Sequence, residues 1–189
     1  MKIILGSQSK WRKYILERMG YKFEVMVPNI DEKAIRFDNP EKLALALANA
    51  KADELLPKIQ EDAILITADQ VDVCNGQVRE KPENEQQAKE FLRSYNQYPV
   101  ETVTAVVVAN TANQKRKEGL DIAKAYFKPL TEEKIEELVS LGNCLSCAGG
   151  FCINDPAIKP YIAKVEGDPD SVAGLPKELT ERLIKEVQN

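Results

Sequence analysis

Three short apolar runs constrain this chain more than any other feature: Ile3-Ile4-Leu5, Ala63-Ile64-Leu65-Ile66-Thr67 and Val100 to Ala109. They lack the alternation of a half-exposed strand and are rich in β-branched residues. Runs of this kind are strands buried on both faces of a sheet. Helical patterns lie between and after them. Tyr14, Ile15, Leu16 and Met19 are ended by Gly20. Leu43, Leu47 and Ala50 form a stripe in Glu41 to Leu56, which follows Pro40. Ala88, Phe91 and Leu92 do the same in Glu83 to Tyr95. Thr131 opens a helix with Ile135 and Leu138 on its apolar side but without a capping-box Glu, and Lys177 to Val187 closes the chain as a helix. Shorter strands are expected at Lys22 to Val27 and Tyr161 to Glu166. Asn75-Gly76 is a hairpin turn. Val100 to Ala109 and Leu120 to Phe127 read as a long hairpin around a polar turn, Asn110 to Glu118. Mixing βα units with hairpins predicts one α/β domain over residues 1–189, with a mixed, elongated β-sheet flanked by helices.

Charge and composition narrow the function. A net charge of −4 argues against a nucleic-acid polymer as partner, which usually needs a basic face. It leaves room for a local basic pocket holding one small polyanion. No apolar run approaches membrane-helix length, and the first residues read as a strand rather than a signal peptide, so the expectation is a cytoplasmic protein. There is no histidine, which removes Ser-His-Asp and Cys-His mechanisms. Acid–base work falls to carboxylates and lysines. Cys144-x-x-Cys147 invites a zinc or redox reading, but it has no second pair at ribbon spacing and does not open a helix after a strand. With Cys74 and Cys152, these are expected to be reduced, structural thiols.

The first thirteen residues form a strand, a small polar turn and a helix start. Ser7 and Ser9 supply hydroxyls, and Lys10, Arg12 and Lys13 supply charge. Unpaired N–H groups at a helix start carry partial positive charge, so the turn reads as a phosphate cradle, or as a capped helix with a solvated basic first turn. The spacing of a Walker A loop is absent. Four more features carry candidate chemistry. Asp31-Glu32 is a loop of adjacent acids, a metal site or ordinary surface. Lys51 sits beside the α-helical apolar stripe, where a lone lysine is usually solvated. Asp69 ends the Ala63–Thr67 run, where α/β proteins place chemistry, or forms a turn. Cys147 to Phe151 is a small-residue stretch that lets backbone approach a ligand.

Together these segments resemble the Maf family of nucleoside triphosphate pyrophosphatases over nearly the whole chain. Ser7-x-Ser9-x-x-Arg12-Lys13 is similar to its opening S-x-S-x-x-R-R, with Lys13 for the second arginine. Asp31-Glu32, Ala50-Lys51-Ala52, Asp69-Gln70-Val71, Lys81-Pro82, Ala148-Gly149-Gly150 and Gly174-Leu175-Pro176 match further signatures in order. The resemblance implies an inosine triphosphate pyrophosphatase-like fold of two lobes with a central cleft. It implies that Ser7, Ser9, Arg12 and Lys13 bind the substrate, with Lys51 and Lys81 beside the phosphates. Glu32 and Asp69 would hold a divalent cation, Mg²⁺ or Mn²⁺, with Asp69 as general base. Water attack at the α-phosphorus would release pyrophosphate and a nucleoside monophosphate. It also implies a homodimer.

For substrate, Trp11 and Gln70 match the family's 7-methyl-GTP branch rather than its dTTP/UTP branch. Trp11 offers an aromatic face to a cationic base, or packs the helix. Gln70 offers an amide that both donates and accepts toward a base edge. Asn154, the third specificity position, has neither the Glu of the first branch nor the Gln of the second, and Lys10 replaces a usual proline. The implied function is clearing a modified purine nucleotide such as 7-methyl-GTP. The alternatives are a dTTP/UTP pyrophosphatase and a non-catalytic nucleotide-binding regulator, since the family has been linked to inhibition of septum formation and cell division. A zinc or redox module is a distant further reading.

Overall fold

A computed structural model describes residues 1–189. The strands are β1 (Lys2–Leu5), β2 (Glu24–Val25), β3 (Ala63–Cys74), β4 (Gln77–Arg79), β5 (Val100–Asn110), β6 (Lys115–Phe127) and β7 (Ile162–Glu166). The helices are α1 (Lys10–Arg18), α2 (Pro40–Leu55), α3 (Glu85–Ser94), α4 (Glu132–Ser140), α5 (Pro169–Val172) and α6 (Lys177–Gln188). All seven strands form one mixed sheet in the order β2-β1-β3-β5-β6-β7, with β4 paired to β3. β1 runs parallel to β2 and β3, and the other pairs are antiparallel. The expected mixed α/β sheet flanked by helices is the fold observed.

β3 organises the molecule. Side chains alternate across a strand, and here the two sets enter different cores. Ile64, Ile66 and Ala68 pack with Ile3, Leu5, Leu16 and Leu183 under α1 and α6. Ala63, Leu65 and Val71 pack with Leu43, Leu47 and Leu55 of α2. Farther along, Cys74 joins a third cluster with Phe91, Leu92, Ile135 and Phe151, beneath α3 and α4. Burying a Leu or Ile side chain contributes roughly 1.5–3 kcal/mol, so these clusters pin the middle of β3 on both faces. Helix starts are fastened locally: Ser9, Asn39, Asn84 and Thr131 each accept a hydrogen bond from a first-turn N–H. Thr131 caps α4 without a glutamate, and each such cap contributes about 1 kcal/mol.

Three elements differ from expectation. The run at Ala63 does not end before Asp69; it continues unbroken to Cys74, paired residue by residue with β5. Asp69 lies within a strand, opposite Ala105, and forms no turn. The polar segment Lys115 to Gly119 is strand as well, since β6 starts at Lys115 opposite Asn110. Its polar composition reflects a largely exposed stretch of strand. The strand expected over Lys22 to Val27 is only Glu24–Val25, at the sheet edge. The Asn75-Gly76 hairpin is as expected, with both residues at positive φ (49° and 73°).

Candidate active site

The cleft between the cores has a volume of about 1350 Å³, above the ~300–1,000 Å³ of ordinary small-ligand pockets. Its walls come from the β1–α1 turn, the loop after β2, α2, the middle of β3, β4 with its following loop, and the 143–155 segment. Gly6 lets the first turn leave the sheet. A Cβ there would lie 2.6 Å from Thr67 Cγ2 and 2.7 Å from Leu55 Cδ1. Any side chain at that point would push the turn away from β3 and α2.

Ser7, next in line, is 6% exposed. Its Oγ accepts from the Ser9 N–H (3.2 Å) and from Arg12 Nη1 (3.3 Å). Arg12 Nε donates to the Gly174 carbonyl at 2.8 Å. The guanidinium is therefore fixed on two sides, with its Nη2 edge left for a ligand. Burial lowers its pKa, against the raising charges of Asp69 and Glu32. Gly174 holds φ at +97°, and a Cβ there would lie 2.9 Å from Gln70 Oε1 and 3.2 Å from Arg12 Nε. Glycine at that point allows α1 and β3 to meet the last loop.

Lys51 is the centre of the cluster. Only 6% exposed, its Nζ is bonded to Asp69 Oδ1 and lies 2.8 Å from Glu32 Oε1. This corrects the reading of Lys51 as a solvated helix lysine. Asp69 is an odd-numbered residue of β3 and faces α2, as does Thr67, whose hydroxyl donates to the Ala48 carbonyl. A buried ammonium needs carboxylate partners to offset its desolvation, and the strand supplies one that local helix periodicity does not reveal. Partial burial raises the Glu32 carboxyl, but Lys51, then Lys81 and Arg12, outweigh it and hold it below the ordinary range.

Ser7, Ser9, Arg12, Glu32, Lys51, Asp69, Lys81, Trp11, Gln70 and Asn154 all line the cleft. Lys13 does not: Lys10 and Arg12 face it and Lys13 turns aside on the helix. The Glu32 and Asp69 carboxylates meet at one ammonium. No group of three or more His, Cys, Asp or Glu side chains is arranged to hold a metal ion. Two carboxylates fit a Mg²⁺ or Mn²⁺ that takes its other ligands from phosphate oxygens and water, as Mg²⁺ usually does.

The specificity positions are arranged in ways the sequence does not reveal. Gln70 points to the other face of β3, where its Nε2 donates to Asp72 Oδ1 (3.0 Å) and the Val172 carbonyl (3.3 Å). These oxygens fix the amide orientation. Gln70 therefore presents only Oε1 as an acceptor, which corrects the donor-and-acceptor expectation. Lys10 Nζ lies 4.9 Å from the centre of the Trp11 ring, so a side-chain cation already occupies an aromatic face of Trp11. The indole N–H is enclosed without a partner.

Asp72 was not expected to matter. It is fully buried, its Oδ2 has no hydrogen-bond partner, and it lies 3.0 Å from where a Gly149 Cβ would stand. Burial pushes its carboxyl from 3.8 up to about 6, against the hydrogen bond from Gln70. A raised acid contributes stability fully below its unfolded pKa and loses it as pH rises through the folded one. Between these values the cost reaches about 3 kcal/mol. Asp72→Asn is therefore expected to be more stable than the wild type at pH 7 but not at pH 4. Urea denaturation at both pH values checks this, and an equal difference at the two would contradict it.

The cysteines also depart from expectation. Cys147 and Cys152 form a disulfide, with Cα atoms 6.0 Å apart, so the four thiols are not all reduced. The bond brackets Ala148 to Phe151, the small-residue wall of the cleft. Cys144 faces the core and hydrogen bonds the Leu138 carbonyl, and burial pushes its thiol up to about 11. The two sulfurs of Cys144-x-x-Cys147 thus do not converge on a zinc or redox centre.

A family model described as Maf-like protein matches residues 2–187. A 7-methyl-GTP pyrophosphatase of Dictyostelium discoideum is 45% identical, with 98% of this chain and 96% of that protein covered. A 7-methyl-GTP pyrophosphatase of Idiomarina loihiensis is 37% identical over 92% of this chain and 88% of its own length. A dTTP/UTP pyrophosphatase of Alkaliphilus metalliredigens is 34% identical, with coverage of 93% and 90%.

Proposed function

The chain belongs to the Maf-like protein family, and from that premise we propose that it is a hydrolase splitting a nucleoside triphosphate into nucleoside monophosphate and pyrophosphate, with 7-methyl-GTP or a similar modified purine as substrate. The observation that carries this reading is the Lys51 ammonium bonded to both Asp69 and Glu32, inside a cleft that Arg12 and Lys81 also line. Two relatives named for 7-methyl-GTP support the substrate.

In this reading Arg12 Nη2, Ser9, Lys51 and Lys81 bind the phosphates, with arginine able to fork onto two oxygens and the lysines acting as point charges. Asp69 spends Oδ1 on Lys51 and keeps Oδ2 for a water molecule. The water oxygen bonds to the α-phosphorus while Asp69 takes its proton. The bond from that phosphorus to the bridging oxygen breaks, and pyrophosphate leaves with the electron pair. Glu32 and Asp69 would hold the divalent cation, which supplies charge neutralisation on the phosphates. Lys51 holds both carboxylates in place. Positioning and charge neutralisation are the main requirements of such a transfer.

One observation favours the dTTP/UTP alternative: Lys10 covers an aromatic face that a cationic base would need. Values of kcat/KM for 7-methyl-GTP, GTP, UTP and dTTP with Mg²⁺ decide between them. The expected order places 7-methyl-GTP first, and turnover is expected to stop when a chelator replaces the cation. Preference for UTP or dTTP would replace the purine assignment. Binding of all four without turnover would favour the regulator. A homodimer and a cytoplasmic setting belong to the same proposal. A single-chain mass in sedimentation at micromolar concentration would contradict the dimer.

A further inference from the structure

We infer that Arg79 is a base-reading residue of this site, recognising a carbonyl acceptor on the base of the nucleotide; this rests on the hydrolase reading above. Arg79 closes β4 opposite Asp72. Paired residues on adjacent strands project to the same side. It therefore shares the face of Gln70 and Asp72 rather than that of Asp69 and Lys51. Its guanidinium carbon lies 4.6 Å from the centre of the Phe91 ring, and Phe91 is a core residue, 5% exposed. That contact holds the guanidinium over the ring. The Nε–H is enclosed and has no acceptor, and Arg79 has no carboxylate partner, whereas its neighbour Glu80 pairs with Arg36 at 3.5 Å. A partly buried guanidinium lining a cleft with its donors unspent is arranged for a ligand.

Its place in the cleft selects the part of the ligand. The charges acting on Glu32 are those of Lys51, Lys81 and Arg12. The charge of Arg79 acts on Tyr95, whose hydroxyl donates to the Gly149 carbonyl. β4 packs on the Ala148–Gly150 turn, part of the wall that continues to Asn154. The proposal places the base of a triphosphate held by Arg12, Lys51 and Lys81 against this wall. A guanidinium has only donors. Held over Phe91 with its donors unspent, it suits a carbonyl such as the 6-oxo group of guanine, methylated at N7 or not. A 6-amino group presents donors and leaves both partners unsatisfied, the situation in which polar sites discriminate strongly.

The test compares 7-methyl-GTP, GTP and ATP on the wild type, Arg79→Leu and Arg79→Lys, with thermal unfolding recorded for each. The wild type is expected to prefer the two oxo purines. Arg79→Leu is expected to lower the GTP-to-ATP ratio of kcat/KM by about tenfold or more, the scale of a good arginine-to-base contact, chiefly through KM for GTP. Arg79→Lys is expected to recover part of the ratio. Equal losses on all three nucleotides, as a phosphate contact or a structural role would give, overturn the inference. So does a wild type with no GTP-over-ATP preference. A wild type that turns over no nucleotide counts against the hydrolase reading alone. Equilibrium Kd values for GTP and ATP on the same three proteins then decide on Arg79.

Discussion

Asp69→Asn is expected to reduce pyrophosphate release by roughly 10²–10⁴-fold, the range associated with removing a general base, while leaving the fold intact. The exchange is nearly isosteric at a position in the middle of β3, where the backbone pairs with β5 and Asp69 is 8% exposed. Asparagine Oδ1 can still accept from Lys51, so Lys51 keeps a partner on β3 and Glu32 on the loop. What is lost is the carboxylate oxygen that takes the proton from water and half of the paired acids proposed for the cation. The loss is therefore expected in kcat rather than in thermal stability. Circular dichroism and the unfolding midpoint report the fold, and a pyrophosphate assay under saturating nucleotide reports turnover. A variant within tenfold of the wild-type kcat would remove Asp69 from the role of base.

The second large effect is expected from Lys51→Met, and it falls on stability as well as turnover. The Lys51 side chain is 7% exposed, and its closest partner Asp69 is 11% exposed. Removing one member of a buried ion pair leaves the other charge uncompensated, a cost of about 3–5 kcal/mol. Glu32 is 55% exposed, and solvent screens much of its share, so the cost comes mainly through Asp69. Without the ammonium the two carboxylates face each other and a triphosphate meets less positive charge. Turnover is expected to fall by at least about a hundredfold. Chemical denaturation at pH 7 checks the stability. The double variant Lys51→Met with Asp69→Asn should recover much of the loss, because it removes the stranded charge. No recovery would mean that Lys51 stabilises through packing of its stem rather than through its charge.

These effects depend on features that differ in how visibly they are written in the chain. The apolar runs that become β1, β3 and β5 are legible because burial on both faces demands continuous hydrophobicity. The hairpin at Asn75-Gly76 is legible because its backbone requires positive φ. The cleft residues Ser7, Ser9, Arg12, Glu32, Lys51, Asp69 and Lys81 are legible as a set only through resemblance to a family. Lys51 alone gives no local sign of burial, since its partner lies 18 residues away on another element. The same holds for Gln70, whose amide nitrogen is committed to Asp72 and Val172, the latter 102 residues distant. Asp69 looked like the end of a strand because polar residues follow it. Yet Val71, Val73 and Asp72 continue the alternation, with the Asp72 carboxyl accepting from Gln70. The Cys147–Cys152 pairing has no periodic signature at all. Arg79 is hidden for a similar reason: a charged residue beside a hairpin is ordinary, and only its place over Phe91 and its lack of a partner set it apart.

The central claim is that water attacks the α-phosphorus of a nucleoside triphosphate in this cleft. Turnover of 7-methyl-GTP with Mg²⁺ in ¹⁸O-labelled water, with products resolved by mass, tests it most directly. Equimolar monophosphate and pyrophosphate are expected, with the label carried by the monophosphate. Label in the pyrophosphate, or diphosphate and inorganic phosphate as products, would contradict it.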